Sequence, residues 1–426
     1  MKKININTKF RKLNFKKIAA MSLFFILMLF VNSCKKDRIV NQKEIHFWHF
    51  QSEPNQKKVL IKLLSEFEKE NNCKVILTDL SWKDGKTKLF AAFNSNSEPD
   101  VIELGSDWVA QFSSSKVLAE LDYNEVGFDN FIQFATEPCL YKGKIYALPW
   151  YVDTRVLFYN KDLLNASNVN VDSLKSFEDL LIASKKIQEN PNLKDKFGFA
   201  VNGPDAHRLY KKIVTFIWSY GGELIDKNGE FVFNSKNNIE AVQSYKDFLK
   251  YGKLENQRTL DADFIQGNIG FAISGAWILE KIKNENSTLK FGVMKLPSTK
   301  YSKGISFAGG EYLAVTRFGG NKPLAKKLVS YLAEGKTAIR FCKEIPEAGF
   351  PADKVYFKDE FYKTQAVRSI FADQLEFARM TPVHKDWLDI EELLEAAVEE
   401  VIYNKKSPKK AMNDLQTKAN KKFKKK

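Results

Sequence analysis

The stretch Tyr146-Ala147-Leu148-Pro149-Trp150-Tyr151-Val152-Asp153-Thr154-Arg155-Val156-Leu157-Phe158-Tyr159-Asn160 decides how the rest of the chain is read. It is extended in character, rich in β-branched and aromatic residues, and carries a single proline. Regions of alternating strand-like and helix-like pattern lie on both sides of it. Upstream, Glu44-Ile45-His46-Phe47-Trp48-His49-Phe50 reads as a strand, and Val59, Leu60, Leu63, Leu64 and Phe67 recur at helical spacing. Ser52 is the expected cap of that helix, with Pro54 in its first turn. A strand at 74–80, a short helix around 87–93, a strand at 99–104 and a helix from Asp107 to Ser115 follow. Downstream the pattern predicts a helix at 177–188, a strand at 197–201 and a helix through Trp218 that ends at Gly221-Gly222. Asp226-Lys227-Asn228-Gly229 reads as a hairpin turn between 223–225 and 230–233. A helix to about 251, a strand at 269–277 that turns into a helix, and a strand at 291–297 come next. Residues 305–316 are extended, and helices dominate from Pro323 onward, with one break around 346–351.

Alternation of this kind gives an α/β fold with parallel sheets covered by helices. Nearly four hundred residues lie beyond Cys34, more than one core normally holds, so two domains are expected. No repeat or low-complexity linker separates the two regions. They are joined by extended strands, which suits a hinge.

The formal net charge is +15, but it sits at the ends. Lys2, Lys3, Lys9, Arg11, Lys12, Lys16 and Lys17 contribute +7, and the tail from Lys405 to Lys426 contributes +9, which leaves residues 34–404 at −1. A near-neutral body argues against nucleic acid as partner. The lysine tail is a solvated helix end or a weak attraction to anionic lipid. The basic leader precedes the apolar run 19–30, which is short for a membrane span, and the run Val31-Asn32-Ser33-Cys34 closes it. This resembles the signal peptide and lipobox of bacterial lipoproteins, although Asn32 departs from the small or β-branched residue usual there. The resemblance implies removal of residues 1–33, lipidation of Cys34, a tether at 34–43 and work outside the cytoplasmic membrane, without ATP or cytosolic reducing power. It leaves open which membrane carries the anchor.

Cys73, Cys139 and Cys342 are far apart, lack metal-ligand spacing and are expected buried and unpaired. His46 and His49, three apart on a strand, face opposite ways, so no metal pair is expected there. No metal and no cofactor is expected anywhere. No serine-nucleophile elbow, phosphate loop, zinc motif or Cys-x-x-Cys occurs, and the loop at 226–229 lacks the acids of a calcium site. All seven tryptophans fall beside turns, glycines or polar residues: Trp48, Trp82, Trp108, Trp150, Trp218, Trp277 and Trp387. Aromatic faces stack on the C–H faces of sugar rings, and acids and amides bond the hydroxyl rim, so such pairs as Trp48-His49, Asp107-Trp108, Trp150 with Asp153, and Gly310-Glu311 suit a carbohydrate cleft. Each tryptophan can equally serve as core packing, Asp153 as a turn cap and Glu311 as an ion-pair partner.

The segments 45–49, Pro99-Asp100-Val101, 147–153, 157–160, Gly267 to Trp277 and Ala308-Gly309-Gly310, in this order, resemble the family 1 extracellular solute-binding proteins, the sugar-binding lipoproteins of ABC importers. The tail Ser407-Pro408-Lys409-Lys410-Ala411-Met412 fits the same resemblance. It implies two α/β lobes around a hinged cleft of the maltodextrin-binding type, residues 44–152 with 303–345 and residues 153–302 with 346–426. Crossings are expected near 152–155, 300–304 and 345–346. The implied site residues are Trp48, His49, Trp82, Asp107, Trp108, Trp150, Tyr151, Asp153, Gly275, Trp277, Gly310 and Glu311, with Trp218, Arg379 and Trp387 as further second-lobe contacts. The implied partners are a small sugar, the permease of an ABC transporter and a membrane reached through the lipid. A monomer that performs no chemistry is expected. Alternatives are another solute such as glycerol phosphate, a surface glycoside hydrolase using Asp153 and Glu311, and an adhesin or sensor without a transporter.

Overall fold

In the computed structural model, residues 43–345 and 348–423 are described. The expected leader, the lipidated Cys34 and its tether lie outside them. Two sheets organise the fold. Their strands are β1 (Glu44–His49), β2 (Lys74–Asp79), β3 (Val101–Gly105), β4 (Leu148–Thr154), β5 (Val156–Asn160), β6 (Phe197–Asn202), β7 (Gly252–Glu255), β8 (Ile269–Ser274), β9 (Phe291–Met294), β10 (Ser306–Val315), β11 (Phe350–Pro351) and β12 (Ala378–Arg379). The first sheet runs β11-β4-β10-β3-β1-β2, with β12 beside β10; the second runs β9-β5-β8-β6-β7.

The decisive stretch passes from one sheet to the other. β4 belongs to the first sheet and β5 to the second, with Arg155 alone between them. The return lies between β9 and β10, and there the two passages are stitched side by side. Ala308 pairs with Thr154 and Gly309 with Asp153. Thr154 Oγ1 donates to the Phe307 carbonyl at 3.0 Å, and Ser306 Oγ donates to the Arg155 carbonyl at 2.8 Å. At the third expected crossing, Pro346 lies outside the described residues, and β11 at 350–351 still pairs with β4 of the first sheet.

The sheets are mixed, which corrects the parallel expectation. β1 pairs in parallel with β2 and β3, but β10 runs antiparallel to both β3 and β4. The chain re-enters the first sheet from the second, so β10 arrives head-on instead of through a crossover helix. Helix α1 (Pro54–Asn71) buries the predicted Val59, Leu60, Leu63, Leu64 and Phe67. Its cap is Glu53, not Ser52, with a reciprocal box to Gln56. The expected hairpin at 223–233 shrinks to a single bridge between Ile225 and Phe231, because the turn is closed by Asp226 side-chain bonds and the ladder does not continue. Cys73, Cys139 and Cys342 are free thiols. Helix α2 (Leu209–Ser219) is buried along almost its whole length, and α3 (Trp387–Ile402) packs on it. The proline-led α4 (Pro408–Phe423) packs on α3. Among the described residues, no helix is long and apolar enough to cross a membrane.

Candidate ligand-binding site

Side chains converge where the C-terminal ends of β1, β2 and β3 meet the start of α2. This is the place where open α/β sheets offer backbone and side chains to a ligand. β1 ends into Phe50-Gln51, β2 into a loop holding Trp82, and β3 into the turn Gly105-Ser106-Asp107-Trp108. The Phe50 and Trp82 rings stack with centroids 4.0 Å apart, and Trp108 stands edge-on to both, at 5.7 and 5.6 Å. Across from them, His207 lies 6.0 Å from Trp82 and nearly parallel to it. Lys211, on the first turn of α2, places its ammonium 5.9 Å from Trp82, 5.7 Å from Tyr210 and 5.4 Å from Phe307. Desolvated aromatic faces hold a cation there.

The passage between the sheets supplies a second group. Arg155 is bound to Asp153 at 2.9 Å and lies over Trp277 at 5.2 Å and Phe307 at 4.7 Å. Gly309 makes room for this pair, since a Cβ there would stand 2.6 Å from Asp153 Oδ1. Trp277 is oriented by its indole N–H donating to Asp261 at 2.9 Å, and the bare Cα of Gly275 leaves space for its ring, 1.9 Å from where a Cβ would be. Gly310 sits close over β4, where a Cβ would meet the Tyr151 carbonyl at 2.8 Å.

A carboxylate layer lies beneath the rings. Glu103 accepts from the Phe50 amide at 2.8 Å and from Gln51 at 2.6 Å, and Gln51 also reaches the Tyr151 hydroxyl at 2.7 Å. Burial pushes the Glu103 carboxyl up to about 7 despite those donors. Glu311 is driven well above the usual carboxylate range, first by burial and then by the charges of Glu103 and Asp153. Asp107 is also buried, which works upward, but the His207 and Lys211 charges and the Tyr210 hydroxyl outweigh burial and hold its carboxyl below the ordinary value. Among the described residues, Glu311 Oε2 and Trp108 Nε1 are buried without a hydrogen-bond partner. Such groups carry a desolvation penalty that a hydroxyl in reach would remove.

The structure therefore brings Trp82, Asp107, Trp108, Tyr151, Asp153, Glu311 and Trp277 into one neighbourhood, with Gly275 and Gly310 shaping it. Trp387 joins at its edge, 6.1 Å from Tyr210. The remaining expected residues lie elsewhere. Trp48 is half-buried on β1, paired with Thr78 of β2 and Ile102 of β3, and His49 is buried against Asp79 at 3.3 Å. Burial pushes the His49 imidazole down to about 4. Trp150 is fully buried against Phe341 at 4.5 Å, at the point where the β4–β10 register is irregular. Trp218 lies under the Arg379 guanidinium at 5.2 Å, and Arg379 grips Glu223 with two bonds of 2.8 and 2.7 Å. Phe50, Gln51, Glu103, Arg155, His207, Tyr210 and Lys211 were not singled out from sequence. Phe50 and Gln51 follow directly on the end of β1, the position from which strand-end side chains reach a ligand.

The chain belongs to the bacterial extracellular solute-binding proteins, whose family model matches residues 52–337. It is 27% identical over 369 residues to the galactooligosaccharide-binding protein of Bacillus subtilis, covering 82% of this chain and 83% of that one. It is 25% identical over 380 residues to the maltodextrin-binding protein of the same organism, covering 85% and 86%. Its fold matches that of a Streptomyces glaucescens receptor solved unliganded and with acarbose, with a TM-score of 0.80 at 23% identity, over 90% of this chain and 98% of that one. A maltose-bound Thermotoga maritima protein matches with a TM-score of 0.76 at 20% identity, over 88% and 98%. These neighbours share the two-lobe fold of periplasmic binding proteins, and the named relatives are binding proteins rather than enzymes.

Proposed function

We propose that this solute-binding protein captures a neutral sugar or short oligosaccharide between the two sheets and passes it to the permease of an ABC transporter. The observation that carries the reading is the wall of Phe50, Trp82 and Trp108 on one sheet, which faces His207 and Lys211 from the other and has unsatisfied Glu311 Oε2 and Trp108 Nε1 within it. Ring faces take the apolar side of a sugar, and Glu103, Asp107, Glu311, Arg155 and Lys211 meet its hydroxyls. The names of the Bacillus relatives, which bind galactooligosaccharide and maltodextrin, point to the same ligand class. We assign the first lobe to the strands β1–β4, β10 and β11 with their helices and the second to β5–β9 with α2, α3 and α4. The hinge is the stitched pair of passages at Arg155 and Ser306. Closure over ligand is a population shift toward a form in which both walls touch it. Cys34 is the lipid anchor at the cell envelope, and the protein acts as a monomer. No chemistry is assigned to Asp153, which is engaged by Arg155, or to Glu311.

A thermal-shift screen of residues 35–426 against mono- and oligosaccharides, with glycerol phosphates, amino acids and polyamines alongside, tests this. A sugar that raises the melting temperature with concentration, without being turned over, is expected. A response confined to charged solutes overturns the sugar assignment and leaves the family in place.

A further inference from the structure

A three-residue constellation at the edge of this site has the makings of a cation site. Asp107 ends the turn after β3, His207 precedes α2, and Glu391 lies on the first turns of α3. One ligand atom from each lies within 4.8 Å of the others. His207 Nδ1 is 2.9 Å from Glu391 Oε1, and its Nε2 is 3.7 Å from Asp107 Oδ2. Asp107 is 6% exposed and Glu391 3% exposed, so neither carboxylate is a solvated surface acid. Glu391 Oε2 is buried with no hydrogen-bond partner among the described residues, so this site holds an unused anionic oxygen. His207 sits at φ +66°, in the turn that leads into α2. Its ring lies between the two acids, with one nitrogen toward each.

We propose that Asp107, His207 and Glu391 bind one divalent transition-metal ion, of the zinc or cobalt class, that ties the first sheet's turn to α2 and α3. One nitrogen and two carboxylate oxygens form the three-ligand set that zinc accepts with its fourth position open. Ligand atoms around such an ion stand about 3.4 Å apart, given bonds of about 2.0–2.1 Å. The ion takes one of the two ring nitrogens of His207; with one ligand atom from each residue the set lies within 4.8 Å, and side-chain rotations bring it to that spacing. Two carboxylates balance the ion's charge. The Lys211 ammonium, 3.4 Å from His207 Nε2, now supplies positive charge to the same place, and the ion displaces it along its flexible stem toward Trp82 and Phe307. The open fourth position faces the aromatic wall, where water or a ligand hydroxyl completes it. The inference holds whatever solute the cleft takes.

The test is titration of chelator-treated residues 35–426 with zinc by calorimetry, and with cobalt by its visible d–d absorption. One ion per chain and the intense bands of low-coordinate cobalt are expected. Glu391→Gln should weaken binding about tenfold or more, and Lys211→Met should tighten it, since it removes a like charge from the ion. Opposite signs from two variants separate coordination from misfolding. Absence of both heat and cobalt bands, or equal affinity in wild type and Glu391→Gln, overturns the proposal.

Discussion

Tyr210→Phe removes one hydroxyl and keeps the ring. That hydroxyl donates to the buried Asp107 carboxylate, and so joins α2, which follows the second sheet's β6, to the turn after β3 of the first sheet. Hydrogen bonds to charged groups contribute about 1.5–3 kcal/mol. Asp107 keeps His207 at 3.7 Å and the nearby Lys211 charge, so its carboxylate is not stranded and the loss belongs at the low end, about 1.5 kcal/mol. The Phe ring retains the edge contacts to Phe307 at 5.8 Å and Trp387 at 6.1 Å, so packing is preserved. If the bond forms only when the lobes close, its whole value is withdrawn from the closed form, a shift of about tenfold in the open–closed equilibrium. Two readouts follow. The dissociation constant for the bound sugar rises about tenfold, because binding must now drive closure without that bond. The radius of gyration of the ligand-free protein by small-angle scattering stays the same or increases, and does not decrease. Thermal stability of the ligand-saturated variant falls only slightly. A sugar affinity within twofold of wild type would show that the Tyr210–Asp107 bond is not part of closure and would refute the reasoning.

Gly309→Ala places a methyl 2.6 Å from Asp153 Oδ1 and 3.1 Å from Arg155 Nη1, so Arg155 leaves Trp277 and sugar affinity falls by about tenfold in calorimetry while the melting temperature changes little. Gly198→Ala meets the Ser184 carbonyl at 2.1 Å, backbone that cannot yield, and destabilises the protein by about 3 kcal/mol or more in urea unfolding. His49 is fully buried with its pKa lowered from 6.5 to about 4, so the unfolded chain takes up a proton that the folded protein refuses between those pH values. Stability therefore falls as pH drops from 6.5 to 4, by about 3 kcal/mol at most, and His49→Gln flattens that slope in a pH series of melting curves.

Much of the fold was legible because the signals were local. Helix α1 announced its buried face through Val59, Leu60, Leu63, Leu64 and Phe67, and strands β4 and β5 through their apolar run. What sequence did not show was direction. The antiparallel entry of β10 depends on where the chain has been for the preceding 150 residues, and no residue in β10 encodes it. The site divided in the same way. Trp82, Asp107, Trp108 and Trp277 each follow a strand, and the structure brings them into the candidate site. Trp48 and Trp150 also lie at strand ends, but Trp48 is half-buried on β1 and Trp150 packs on Phe341, a difference that their place in the sequence does not show. His207 precedes an almost wholly buried helix and Lys211 lies on its first turn, where nothing in the local pattern separates a residue facing the other sheet from one facing water. The Asp107–His207–Glu391 set spans nearly 300 positions and has no spacing to recognise.

A single titration tests the cleft most directly: calorimetry of the sugar identified in the thermal screen against wild type and Trp82→Ala. Trp82 stacks on Phe50 and faces His207 and Lys211, so it touches both walls of the cleft. The account predicts an affinity loss of about ten- to a hundredfold, equivalent to the 1.4–2.8 kcal/mol expected when an aromatic sugar platform is removed. An unchanged dissociation constant in a folded Trp82→Ala protein would place the ligand elsewhere and contradict the site.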